Sequence, residues 1–374
     1  MTIQAKHIHL VSFDIPFPAN YGGAIDVFNK IKALKKLGIK IHLHCFEYSR
    51  KPSVELKKWC EQVYYYPRTR SLVHQLHSLP FIVQSRKHPK LLENLKKDSY
   101  PILFEGIHCC GFLDHPDLKN RVKLVRTHNV EHHYYKQLAN NSASLWKKLF
   151  FKVEAIKLKR FEKQLSHATA LLTISASDQS YFQDMFNQSI HVSAFSGTNR
   201  INSIPGMGKY LLFHGNLSVE ENIEAIQFIL KQVQPKHSFS LTIAGKSPTN
   251  ALRKLISQTP NTNLIANPSQ KEMDEWIANA HIVLLPTFQA TGIKLKLLHS
   301  LSKGRFCIAN DAMIKNTETE NLCVTANTPS EWLKHINELM QQPFTEKEIE
   351  KRIDVFSSTF NDLQNAKKII PYID

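Results

Sequence analysis

Short apolar runs alternate with segments of helical period along almost the whole chain, and this alternation restricts the fold more than any other feature of the sequence. HIHLVSF is followed by a Pro/Gly-rich loop, DIPFPANYGG, and then by AIDVFNKIKALKKLG. There Ile25, Phe28, Ile31, Leu34 and Leu37 form a helical stripe that stops at Gly38. IKIHLHCF reads as the second strand, and more strands are expected at 62–66, 101–105, 122–126 and 170–174. Strands separated by helices predict a parallel sheet covered on both faces. The pattern lapses in FSGTNRINSIPGMGK and restarts with six strand-like runs: YLLFHG, SLTIAGK, NLIANP, HIVLLPT, RFCIAN and NLCVTA. A chain of 374 residues also exceeds what one hydrophobic core usually organises. The expected class is therefore α/β, with two doubly wound parallel-sheet domains facing a cleft. The boundaries are 1–195, a linker at 196–209, 210–344, and a helix over 345–374 that crosses back to the first domain.

Composition narrows the class. With 42% hydrophobic and 21% charged residues, the chain is neither collagenous, nor a disulfide scaffold, nor wholly disordered. It has no uncharged apolar run of about 18 residues, so no transmembrane helix is expected. The opening MTIQAKHIHLVSF has no signal-peptide core and reads as a first strand. Six cysteines without CxxC spacing fit reduced thiols, and a cytoplasmic location is expected.

Charge is unevenly placed. Residues 1–200 hold 30 Lys+Arg against 15 Asp+Glu, whereas residues 201–374 hold 18 against 17. The surplus of +16 thus divides as +15 and +1, and points to an anionic partner for the first half. Segment 144–165, SLWKKLFFKVEAIKLKRFEKQL, mixes Trp146, Leu149, Phe150, Val153 and Ile156 with seven Lys or Arg. It reads either as an interfacial helix on the anionic inner face of the plasma membrane or as a core-facing helix with a solvated basic face.

Doubly wound domains bind ligands beyond the carboxyl ends of their strands, so candidate residues are sought just after strands. TGIKLKLLHSLSKG (291–304) follows HIVLLPT. Gly292 opens a helix whose free N–H groups attract anions, and Lys294 and Lys296 add positive charge against the helix dipole, as a diphosphate would require. AGKSP places Gly245 and Lys246 after another strand, HGN places Gly215 and Asn216 at a turn, and NLIANP ends at Pro268. No P-loop and no GxGxxG fingerprint is present, which argues against an NTPase or a nicotinamide or flavin enzyme. In the first half, THNVEHHYY brings His128 and Glu131 to a strand end, and FEGIHCC brings Glu105 and His108 to another. Neither segment has the spacing of a known metal motif, and no metal is expected.

Taken together, these motifs resemble glycosyltransferase family 4, retaining sugar-nucleotide enzymes of the two-Rossmann-domain B-type (GT-B) fold. DIPFPANYGG is similar to the family's N-terminal loop, which implies that Gly22 and Gly23 approach donor phosphates and acceptor. THNVEHHYY is similar to the segment whose histidine, here His128, contacts the transferred sugar. TGIKLKLLHSLSKGRFCIAN resembles the donor diphosphate segment and implies donor roles for Thr291, Gly292, Ile293, Lys294, Lys296 and His299. Many family members carry two glutamates in that segment, and here Thr291 and His299 stand in their places. The Arg and Lys usual after the HGN-like turn are also missing.

The resemblance implies transfer of a hexose, such as mannose, from a UDP- or GDP-sugar to a saccharide or lipid-linked acceptor in glycan synthesis. No cofactor, metal or nucleic acid is required. Preorganised donors aimed at the leaving diphosphate would then be the largest catalytic term, with His128 and Lys294 as the catalytic candidates. Glu105 and His108 are expected on the acceptor side, and Glu131, Gly215, Asn216, Gly245, Lys246 and Pro268 on the donor side. A sugar-nucleotide epimerase of the same fold, a non-catalytic relative and a nucleic-acid-binding protein are the competing readings.

Overall fold

The computed structural model describes residues 6–48, 50–69, 71, 77–142, 144–186, 188–198, 200–234, 238–288, 295–315 and 317–373. It divides into two units. The first comprises Met1–Gly197 with Asp362–Asp374, and the second Thr198–Asn361.

The first unit is built on seven strands: β1 (His7–Ser12), β2 (Lys40–Glu47), β3 (Gln62–Pro67), β4 (Ile102–Glu105), β5 (Lys123–Thr127), β6 (Ala170–Thr173) and β7 (Ser189–His191). Their order is β3-β2-β1-β4-β5-β6-β7 and every pairing is parallel. The direction of winding reverses between β1 and β4, which is where such sheets open a crevice for ligands. Ile8, Leu10, Ile41, Leu43 and Leu103 pack into one buried cluster, and Val11, Phe46, Phe104 and Val125 into another. The six expected strands are β1 to β6. The seventh, a three-residue edge strand, is too short to leave a periodic signal.

The second unit has six strands: β8 (Leu211–Asn216), β9 (Leu241–Lys246), β10 (Thr262–Ala266), β11 (Ile282–Leu285), β12 (Phe306–Ala309) and β13 (Val324–Thr325). They are parallel in the order β10-β9-β8-β11-β12-β13, with the reversal between β8 and β11. Helices 270–279 and 329–339 start at capping boxes, Ser269 with Glu272 and Thr328 with Glu331.

Two boundaries differ from the sequence reading. The segment expected as a linker is bonded into the second unit over most of its length. Asn202 N–H donates to Ser302 O (2.6 Å), Gly206 N–H to Phe344 O (2.7 Å) and Lys209 N–H to Asn279 O (3.0 Å). The closing stretch is two helices, not one. Glu346–Ser358 lies in the second unit, where buried Arg352 donates to the carbonyls of Leu301 (2.9 Å) and Gly304 (2.6 Å). Asp362–Lys367 lies in the first unit, where the Asp362 carboxylate accepts from Gly197 N–H at 3.1 Å. Of the spaced apolar residues in this stretch, Ile349, Phe356 and Phe360 are buried, whereas Ile353 and Leu363 are exposed.

Candidate active site

The first unit concentrates charge beneath the carboxyl end of its sheet. Lys30, on the helix Gly22–Lys36, is wholly buried and donates to both carboxylate oxygens of Glu105 (2.7 and 2.9 Å) and to Asp26 (2.9 Å). Arg126, on β5, donates to the other Asp26 oxygen (3.0 Å) and to Ser193 O. His128 Nε2 lies 3.2 Å from Glu105 Oε2. Burial pushes the Asp26 carboxyl up, but Arg126 and Lys30 outweigh it and hold Asp26 well below the usual range. Lys30 and His128 do the same for Glu105. Asp26, Glu105 and His128 have ligand-type atoms within 4.8 Å of one another. A divalent cation does not suit this set, because Lys30 and Arg126 already neutralise both carboxylates.

This network fixes His128. Its ring also packs edge-on to Phe13, with centroids 5.4 Å apart. Glu105 has no oxygen left toward solvent, so its place is under His128 rather than against an acceptor hydroxyl. Gly106 follows with φ of +73°, and a Cβ there would meet His108 Nδ1 at 2.7 Å. His108 is half-buried with its Nδ1 shielded from solvent, and desolvation together with Arg86 depresses its basicity strongly. Its Nδ1 has no hydrogen-bond partner. Glu131 opens the helix Glu131–Asn141 as a buried carboxyl, and burial pushes it up to about 7. It is therefore poised to exchange a proton near neutral pH. Gly22 and Gly23 start the helix after uncapped Tyr21, and a Cβ on Gly23 would collide with Phe13 at 2.5 Å.

In the second unit the candidates gather at the carboxyl ends of β8 and β9. Gly215 pairs with Gly245 and Asn216 with Lys246. A Cβ on Gly245 would lie 1.9 Å from Gly215 O, so only glycine permits the strands to approach this closely. The Asn216 side chain accepts from Ser218 N–H (3.1 Å) and hydroxyl (2.8 Å), and its carbonyl accepts from Asn222 (2.9 Å). Lys296 reaches the same corner from the first turn of the helix Leu295–Lys303. It donates to Asn222 at 2.9 Å and lies over the Phe213 ring. Lys246 is exposed at its strand end, and Pro268 is buried between Asn267 and the cap Ser269. His299 turns its Nε2 to Asp274 (2.8 Å), which also binds Lys303 (2.8 Å). Thr291, Gly292, Ile293 and Lys294 lie outside the described residues.

Several members of these sites were not foreseen. Lys30 and Asp26 sit mid-helix, where a charged residue normally signals the solvent face. Asn222 and Asp274 look like ordinary polar helix residues. Buried His214, which donates to or accepts from Ser300 at 2.7 Å, was visible only as part of the HGN turn. All five matter through partners distant in sequence, and a local pattern does not carry that information.

Comparison with known proteins agrees with this layout. Residues 208–342 match the family model Glycosyl transferases group 1. A Klebsiella pneumoniae relative, an uncharacterized 44.6 kDa protein in the cps region, is 28% identical over 359 residues, covering 88% of this chain and 89% of its own. Among solved structures, WaaG, a glycosyltransferase involved in lipopolysaccharide biosynthesis, aligns over 98% of this chain and 99% of its own with a TM-score of 0.63 and 10% identity. A trehalose-6-phosphate protein from E. coli bound with UDP-2-fluoro glucose aligns over 98% and 99% with the same TM-score and identity. At such identities the structural likeness speaks for fold. The fold is GT-B, and residues 208–342 match the group 1 glycosyl transferases.

Proposed function

We propose that the protein is a retaining hexosyltransferase that takes a sugar from a UDP- or GDP-sugar and passes it to a saccharide or lipid-linked acceptor, without metal or cofactor. The observation that carries this reading is the corner made by Gly215, Gly245, Asn222 and Lys296. It lies in the segment matched by the family model, beside the winding reversal of the second sheet. Strand ends that approach closely leave backbone N–H groups near a ligand, and a lysine in a helix's first turn adds a charge-assisted donor. Departure of a nucleoside diphosphate builds negative charge on its oxygens, which such donors stabilise without reorganising. Lys294 and Gly292 are assigned to the same leaving group on the sequence motif. His128, held by Glu105, is the group offered to the sugar.

Thermal-shift measurements with UDP-, GDP- and ADP-sugars test the donor assignment. A ligand at 100 times its Kd stabilises the folded state by about 2.7 kcal/mol. One nucleotide is expected to raise the melting temperature, and Lys294→Ala to slow transfer on the order of 10²–10³-fold. The reading fails if no sugar nucleotide shifts the melt, or if Lys294→Ala and Lys296→Ala together leave turnover unchanged.

A further inference from the structure

The first unit holds a cavity of about 370 Å³ that the donor assignment does not use. Three adjacent strands lead into it. Phe13 and Asp14 follow β1, Tyr48 and Arg50 follow β2, and Arg68 follows β3, so the cavity lies at the carboxyl edge of the sheet. Arg86 completes it from just beyond the helix Phe81–Gln84. The lining thus has three guanidinium groups and a single carboxylate, Asp14. That carboxylate accepts from the Tyr21 hydroxyl and from Ile15 N–H, both at 2.8 Å, and pairs with Arg50 Nε at 3.7 Å, which leaves Arg68 and Arg86 as the guanidinium groups not balanced by it.

The arginines are held in place before any ligand arrives. Arg50 stacks on the exposed Tyr21 ring at 4.6 Å and donates to Ile15 O at 3.0 Å. Arg68 stacks on the exposed Tyr48 ring at 4.7 Å and donates to Ser85 Oγ at 3.1 Å. Arg86 is 7% exposed and donates through Nε to Phe13 O (2.9 Å) and through Nη1 to Ile82 O (2.8 Å). Those acceptors are neutral carbonyls, and a guanidinium has five N–H donors, so a buried cation is left with donors to spare. Arginine fixed in this way matches planar or tetrahedral oxyanions, which it binds through paired hydrogen bonds. The exposed Tyr21 and Tyr48 rings offer apolar faces of the kind that sugar rings lie against. Phe13 joins the two sites, since it lines the cavity and also packs on His128.

We propose that this arginine cavity binds an oxyanion on the acceptor, a carboxylate or phosphate carried by a sugar residue, so that the enzyme takes an anionic acceptor. The acceptor assignment rests on the proposed function, because it presumes that the donor's diphosphate is held in the second unit.

Calorimetric titration of the full chain with glucuronate, glucose 6-phosphate, glucose and UDP tests the proposal. One or both anionic sugars are expected to bind about tenfold or more tightly than glucose, the reward of one charge-assisted pair. Preference for glucuronate identifies a carboxylate, and preference for glucose 6-phosphate a phosphate. Arg68→Gln, a change at a half-exposed position, is expected to remove about tenfold of that affinity and leave UDP binding intact. Arg86→Gln gives a second reading if it folds. Equal affinity for glucose and the anionic sugars, or unchanged affinity in Arg68→Gln, overturns the cavity's role. Displacement of the anionic sugar by UDP overturns the acceptor assignment and makes the cavity part of the donor site. If no sugar nucleotide binds while glucuronate does, the glycosyltransferase donor reading is what fails.

Discussion

Lys30 is the residue on which the first unit's site depends. It is wholly buried and its ammonium group joins Asp26 to Glu105. Asp26 is shared in turn with Arg126, and Glu105 with His128. Ion pairs of this kind are costly to assemble, but removing one member costs more, since its partners stay buried without compensation. Lys30→Met is expected to lower unfolding stability by about 3–5 kcal/mol. Urea denaturation followed by tryptophan fluorescence measures this; a loss under about 1 kcal/mol, the worth of an exposed pair, would mean the network is not a coupled unit. The same arrangement shows how a fully buried glutamate can orient a histidine at the sheet's carboxyl end.

At the scale of one element, the helix Leu145–Phe161 presents two unlike faces. Ala155, Leu158 and Phe161 are buried, and the buried Glu154 carboxylate accepts from Phe81 N–H at 2.6 Å. On the outer side Leu145, Trp146, Leu149, Val153 and Ile156 are all exposed, Trp146 to 84%. Lys147 and Lys152 are exposed between them. The inner face fits the reading of a core-facing helix, and the outer face carries the residues on which the interfacial reading rests. The outer face combines apolar area with cations, the pairing that favours an anionic interface. Changing Lys147, Lys148 and Lys152 to Gln is expected to weaken vesicle binding on the order of 10²-fold, at about 1 kcal/mol per charge near the surface. Co-sedimentation with anionic vesicles at low and high salt checks this, and equal pelleting of wild type and variant excludes this helix as the contact. Among the described residues no helix is long and apolar enough to cross a membrane.

Across the whole molecule, desolvated histidines set the response to acid. Burial holds His9 at about 4, against an ordinary 6.5, and holds His44, His108 and His214 well below the ordinary value. Each stays neutral in the fold and gains a proton on unfolding, so its stabilising effect is complete above 6.5 and is lost as pH falls toward 4. Glu131 and Asp178 act oppositely. Burial raises them to about 7 and about 6, so they favour the fold most below their ordinary values and less as pH rises through the raised ones. Four histidines against two carboxyls predict a melting temperature that falls between pH 6.5 and 4. Three of the histidines lie in the first unit, whose transition is expected to move more than that of the second. Calorimetry at pH 7.0, 5.5 and 4.5 checks this, and a melt that rises on acidification would contradict it.

The sequence by itself determined the parallel α/β class and twelve of the thirteen strands found among the described residues, because a strand buried on both faces needs a continuous apolar run and a covering helix needs a 3.6-residue stripe. It also located the strand ends at which the turn glycines and lysines stand, directly after those runs. Tertiary structure alone decided which charges face inward. Lys30 and Lys32 sit on one helix two positions apart, and only the fold puts one of them against Glu105. Nor did any local pattern foretell that Arg50, Arg68 and Arg86 share a cavity, or that His299 is paired with Asp274. Local periodicity is written within a few turns of chain. An electrostatic site is the sum of groups tens of residues apart, and its energy exists only once packing has removed the water between them.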